Sequence, residues 1–343
     1  MATASPSRPS VTLRVLVVNE SELAEAIQRL RGEWNERFGG TLTVAAKPWG
    51  EFQTAAALDA DLIAFPARYL GELGTRGWIR PVRKNVLQNR AVAVDDLFPL
   101  VRRELITWGG EVMALPLGVH VSTGGDAIDR RPAVALLVRA APDAVLADRV
   151  GVLFDPETMK PRIAERPFVA ALAQLADARS ANDVPSRAAA ARLVPVLGYG
   201  DRLVAVTTSS RNAASAFELL AWLATAEISS QLVSAGDGML PVRASLASSR
   251  AWYGSELSAG RRNELGAALA QSLSAEPCLV IPRIPGIDEY LVALDEAVRS
   301  AMDGAERPQA ALQHAASRWE AITDAHGRDG QRSAYLKHLG IAE

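Results

Sequence analysis

Residues 13–18, Leu-Arg-Val-Leu-Val-Val, are apolar and β-branched almost throughout. That pattern predicts a strand buried on both faces, as in a parallel sheet. Asn19 follows in the position of a helix cap, and Glu22 sits at the capping-box spacing from it. Leu23, Ile27, Leu30 and Trp34 then recur at steps of four, three and four, one face of a helix that Gly39-Gly40 ends. Residues 41–45 and 61–65 predict two further strands, the last stopped by Pro66. Strand, helix, strand, helix, strand calls for a parallel sheet with right-handed crossovers. Such sheets place ligand sites beyond the carboxyl ends of their strands. Here those ends are Asn19-Glu20, Lys47-Pro48-Trp49, and Phe65 to Tyr69.

Further on, Leu97, Val101 and Leu105 mark another helical face. Residues 107–112 predict a tight turn with Gly109 and Gly110 at its positive-φ positions, and 113–119 an extended segment. The stretch 122–132 reads as a loop, 133–138 and 168–178 as helices, and 180–187 as a polar linker. Residues 193–197 and 202–206 predict strands on either side of Gly198-Tyr199-Gly200-Asp201. That tetrapeptide is either a plain hairpin turn or a glycine hinge that brings Tyr199 into a cleft. Phe217, Leu220, Ala221 and Ala224 give a helical face, 236–238 a turn, and the chain from Asp288 onward is mostly helical.

A chain of 343 residues is long for one core and natural for two lobes. Its formal net charge of -2 gives no general attraction to nucleic acid or an anionic membrane surface. The single cysteine, Cys278, excludes an intramolecular disulfide and reads as a small packed hydrophobe. No apolar run approaches the ~20 residues of a membrane span. Residues 1–10 are polar and read as flexible, with neither signal peptide nor lipobox visible. Phosphate-loop, zinc-protease and nucleophile-elbow signatures are all missing, so the expectation is a non-enzyme.

Several segments together resemble the extracellular solute-binding proteins of ABC importers, of the sugar-binding type. Asp61-Leu62-Ile63, Pro66, Leu70-Gly71-Glu72-Leu73 and Gly77-Trp78-Ile79-Arg80-Pro81 resemble that family's strand, cleft loop and helix. Residues 108–119 are similar to the hairpin leading into the first crossing between lobes. Residues 209–223 resemble the helix after the second crossing, and 238–243 the third. Ile281-Pro282-Arg283-Ile284-Pro285 and the helices after it are similar to the family's C-terminal end. The group it looks closest to is planctomycete-like.

The resemblance implies an α/β, two-lobe, type II periplasmic-binding-protein-like fold, each lobe a mainly parallel sheet flanked by helices. Residues 11–119 and 205–237 would form the first lobe, 120–204 and 238–343 the second. It implies capture of a small polar solute, a carbohydrate above all, with no cofactor and no metal. The chain would act as a monomer beside importer membrane subunits, in the periplasm or cell envelope; the missing signal peptide leaves the cytoplasm as the alternative. Family members carry more chain after Gly125 and around 181–192, so a shortened second lobe is expected. The alternative is a degenerate scaffold of the same fold that acts through protein contacts.

Candidate ligand residues follow from position. Trp49 and Tyr69, just past strand ends, can stack on a sugar ring, or pack as half-buried aromatics. Asn19 and Glu20 can bond hydroxyls, with Asn19 equally placed as a cap. Arg68 can pair with an acidic ligand, or lie solvated at the surface, and Phe65 shapes the loop before it. His120 stands at the hinge with no metal-ligand spacing around it. Tyr199 and Asp201 belong to the second crossing, and Tyr290 to a helix that faces the cleft in the family.

Overall fold

The computed structural model describes residues 11–120, 131–145, 150–180, 194–233, 239–248, 258–274 and 277–341. The expected flexible segment at 1–10 and the turn at 236–238 lie outside the described residues, as do most of the loop at 122–132 and of the linker at 180–187.

Strand β1 (Thr12–Val18) leads into α1 (Ser21–Arg29) and α2 (Arg31–Phe38), then β2 (Thr41–Lys47) and β3 (Leu62–Pro66). β1 runs parallel to both β2 and β3, as the pattern predicts. The first helix is interrupted at Leu30 yet keeps its face, for Leu23, Ile27, Leu30 and Trp34 are all buried. Gly39 ends α2 at φ 72°, a left-handed conformation that favours glycine. The second crossover carries a short 3₁₀ turn at Trp49–Phe52 in place of the expected helix.

α3 (Leu70–Thr75) and α4 (Lys84–Leu87) follow. The apolar face at 97–105 is realised as a π-helical turn, Val101–Leu105. β4 (Thr107–Trp108) and β5 (Glu111–Val112) close a hairpin on Gly109 and Gly110, at φ 60° and 79°. Next come β6 (Leu115–Gly118), α5 (Pro132–Ala144), α6 (Arg166–Ser180), β7 (Val196–Leu197), β8 (Arg202–Val206), α7 (Ala213–Leu223) and α8 (Ala226–Val233). The chain ends with α9 (Ala259–Ser274), β9 (Leu279–Val280), α10 (Ile287–Met302), α11 (Pro308–Ala325) and α12 (Arg328–His338). No helix among the described residues is long and apolar enough to cross a membrane.

The main sheet has the order β2-β1-β3-β8-β6, with β8 antiparallel to both neighbours, so it is mixed. β7 and β8 do not form a hairpin. β7 instead pairs in parallel with β9, and that two-residue pairing is the sheet of the helical half among the described residues. The period-2 rule sorts the strand residues. Leu13, Val15 and Val17 of β1 and Leu62 and Ala64 of β3 join Phe217 and Leu220 of α7 in one core. Leu16, Val18, Ile63 and Phe65 enter a second core, which continues through Leu136, Tyr290 and Trp319 of the helical half. Each fully buried side chain of this kind contributes about 1.5–3 kcal/mol. In the helical half, Asp295 of α10 accepts the Ala133 N–H of α5 at 2.6 Å, one residue after Pro132 has removed a donor.

Three segments run between the halves. Val119 and Leu240 exchange both backbone hydrogen bonds, at 3.0 and 2.8 Å, so the first and last lie side by side. The third is Gly198 to Asp201, which joins β7 to β8.

Behind them the halves meet tightly. The buried Arg283 donates to the Leu105 and Thr107 carbonyls at 3.1 and 2.7 Å, to His338 Nδ1 at 3.1 Å and to the His338 carbonyl at 3.3 Å. Its backbone oxygen approaches Gly71 so closely that a Cβ there would lie 1.6 Å away. The half-buried His338 therefore receives an N–H on Nδ1 from a cation, and burial followed by that charge holds it well below the usual histidine value. The unfolded chain protonates this side chain near pH 6.5, whereas the folded chain keeps it neutral. Stability carried by His338 is thus present above that pH and is lost on acidification. Between pH 7 and 5 the loss is about 1–2 kcal/mol. Urea denaturation at both pH values should show it in the wild type and not in His338→Asn; equal pH dependence in the two would overturn it.

Candidate functional site

β1 ends at Val18, and Asn19 turns the chain at φ 61°, a left-handed conformation that asparagine tolerates. Its N–H continues the ladder to the Lys47 carbonyl at 3.0 Å. Its Oδ1 accepts the Trp49 N–H at 2.8 Å, and its Nδ2 donates to Tyr69 Oη at 3.1 Å. Asn19 therefore ties together the ends of β1, β2 and β3. It is not the cap of α1, whose first turn makes no side-chain capping bond.

The same strand ends carry Trp49 and Tyr69, but their faces are not offered to solvent. The two rings stack on each other at 4.3 Å and 14°, and they are 6% and 1% exposed. The Arg68 guanidinium lies 4.5 Å from the Tyr69 ring centroid. These aromatics form the packed wall of the site rather than a stacking platform.

Arg68 uses all its nitrogens. Nε donates to Asp288 Oδ1 at 2.8 Å, one Nη to the Tyr199 carbonyl at 2.6 Å, and the other to Tyr69 Oη at 3.1 Å. Tyr69 donates in turn to the second oxygen of Asp288. Burial opposes the Arg68 charge, and Asp288 with Tyr69 and Tyr199 together more than offset it, so the guanidinium is held above its ordinary value. Burial pushes the Tyr69 phenol far up, so it stays a donor at neutral pH. The first residue of β8, Arg202, is buried and ion-paired with Glu20. Burial raises the Glu20 carboxyl, with Arg202 pulling it back.

Between the halves these residues enclose a cleft of about 380 Å³. Its walls are Asn19, Glu20, Ser21, Glu22, Pro66, Arg68 and Arg202 on the sheet side, and His120, Arg131, Tyr199, Gly200 and Met239 at and beyond the crossings. The structure thus gathers Asn19, Glu20, Arg68, His120 and Tyr199 around one space. Both the Arg68 and Arg131 guanidinium groups lie over the Tyr199 ring, at 5.0 and 4.9 Å. Trp49 and Tyr69 border an adjoining chamber of about 240 Å³.

Three expected residues do not reach either space. Phe65 alternates into the core from β3 and is 1% exposed. Tyr290 is buried, its hydroxyl bonded to Thr323 at 3.0 Å and its ring packed edge-on to Phe154 and Trp319. Asp201 is buried beneath the crossings, where it accepts the His120 N–H at 2.8 Å and the Gly198 N–H. Burial pushes its carboxyl up to about 6, against the pull of those donors, so it is ionised at neutral pH.

Arg131, Arg202, Met239 and Asp288 were missed from the sequence. Arg202 carried a usable signal. A charged residue heading a strand whose other members are all apolar needs a partner when buried. The walls offer hydroxyl, carboxylate and guanidinium groups in a half-enclosed space, a set chemically able to make directed hydrogen bonds to hydroxyls. No group of three metal-ligating side chains is present among the described residues.

No protein-family model matches the chain, and no curated protein matches it. Solved structures do. It is similar to the sugar-binding protein MalE from Xanthomonas citri at 14% identity, with 92% of this chain and 98% of that one covered and a TM-score of 0.68. It is similar to an ABC transporter solute-binding protein from Agrobacterium radiobacter in complex with ribitol, at 16% identity, 91% and 98% coverage and a TM-score of 0.59. A third is the Thermus thermophilus maltotriose-binding protein bound with maltotriose, at 17% identity, 90% and 100% coverage and a TM-score of 0.59. The fold is that of the type II periplasmic binding proteins, as expected.

Proposed function

We propose that this chain captures a small carbohydrate or polyol between two lobes and presents it to the membrane subunits of an ABC importer. The observation that carries this reading is the cleft itself. It lies at the crossings between the halves, and polar side chains enter it from both sides. A ligand held by groups of both lobes makes most of its contacts in the closed state, so it shifts the equilibrium toward closure. The structural neighbours, a sugar-binding protein and the ribitol and maltotriose complexes, point to the ligand class.

The lobes proposed are 11–119 with 205–237, and 120–204 with 238–343. Arg202, Leu203 and Val204 pair within the main sheet, which supports drawing the second boundary at 202. The chain would work as a monomer in the periplasm or cell envelope, binding without catalysis.

Thermal unfolding against monosaccharides, oligosaccharides, polyols and amino acids tests the reading. A ligand at a hundredfold excess over its Kd stabilises the native state by about 2.7 kcal/mol. The shift should be confined to sugars or polyols and should shrink in Glu20→Gln, which keeps the shape of the wall and removes its charge. A flat panel on a cooperatively folded protein would replace this reading with that of a scaffold acting through protein partners.

A further inference from the structure

The two chambers are separated by one bonded junction. Arg68 faces the larger chamber, while Tyr69 and Asp288 face the smaller. Between them run the Arg68–Asp288 ion pair at 2.8 Å, the Tyr69–Asp288 hydrogen bond and the Arg68–Tyr69 bond at 3.1 Å. Arg68 and Tyr69 come from the end of β3, and Asp288 from the first turn of α10, so the junction joins the two halves. The Arg68 side chain is only 13% exposed.

We propose that this Arg68–Asp288–Tyr69 junction sets ligand length, confining a bound saccharide to the one or two rings that the larger chamber holds. The proposal rests on reading the cleft as a saccharide site. A cavity of about 380 Å³ stands at the lower end of the range of small-molecule sites, ~300–1,000 Å³. Past the junction, the smaller chamber is lined further by Glu289 and His326. For a third ring to enter it, Asp288 must leave both Arg68 and Tyr69. That leaves a mostly buried guanidinium without its counter-ion, a penalty of roughly 100-fold in affinity. Added rings therefore gain no contacts in the wild type. Removing both charged partners joins the chambers without stranding either charge.

The test is titration calorimetry on the wild type and on an Arg68→Ser, Asp288→Ser double variant. The probes are the malto-, cello- and xylo-oligosaccharide series from one to four units. Wild-type affinity should stop rising after two units. In the double variant it should rise at least tenfold from two units to four. Asp288→Asn keeps the junction filled but removes its ion pair, so its affinity should rise from two units to four by more than the wild type's and less than the double variant's; a wild-type plateau in this variant overturns the proposal if the double variant does not fold. A tenfold gain from the third unit in the wild type overturns the proposal, as does a plateau in a folded double variant. Binding of single-unit sugars or polyols alone by both proteins also overturns it. No binding of any sugar or polyol to either protein sinks the saccharide reading itself, an outcome distinct from a rising wild-type series.

Discussion

Replacing Arg283 with alanine will lower the unfolding free energy by about 3–5 kcal/mol. Its side chain is buried to 2% exposure and makes four hydrogen bonds, two to carbonyls of the sheet half and two to His338. No carboxylate pairs with it directly among the described residues, and Glu104 gives only distant support. Burial draws its value down to about 10, which still leaves it charged at neutral pH. Alanine would strand the Leu105 and Thr107 carbonyls, open a void and leave Gly71 facing a loosened backbone. Lysine keeps the charge but not the planar fork, so Arg283→Lys should lose more than half as much. Urea denaturation of the three proteins measures this. A loss below about 1 kcal/mol for Arg283→Ala would show that the halves do not depend on this joint.

That joint also shows where reading the sequence stops. Ile281-Pro282-Arg283-Ile284-Pro285 is an apolar segment with one arginine, and nothing local says whether that arginine is solvated or buried. Its partners lie more than 50 residues away in one direction and more than 170 in the other. Elements fixed by local chemistry were legible. The apolar run of β1, the helical face from Leu23 to Trp34 and the glycine pair of the β4–β5 hairpin need only their own neighbours. The capping role open to Asn19 is not taken, because two tertiary partners, the Trp49 N–H and the Tyr69 hydroxyl, outcompete the capping bond it can make locally. Trp49 and Tyr69 were placed rightly at strand ends. Their mutual stacking was not visible, because spacing does not say which of two ring faces finds a neighbour first. β7 and β8 were both recognised as strands, but alternation carries no information about partner, and they joined different sheets.

The Asp201→Ala variant tests whether the crossings are held from beneath. The carboxylate accepts the backbone N–H groups of His120 and Gly198, one on each of two crossings, and its own carbonyl accepts the Ala67 N–H at 2.8 Å. Alanine removes the first two bonds and leaves two enclosed donors unmatched, at about 1–3 kcal/mol each. The expected loss is therefore about 3–4 kcal/mol. Asparagine retains one carbonyl oxygen, accepts one of the two donors and should lose about half as much. Denaturation gives the totals, and amide exchange locates them. Protection at His120 and Gly198 should fall well beyond the global destabilisation in Asp201→Ala, while β1 amides follow the global value. Because His120 and Tyr199 line the cleft beside these two amides, ligand affinity should weaken in step with that local loss. Equal loss of protection across the whole sheet would mean that Asp201 stabilises the fold generally and does not set the geometry of the crossings.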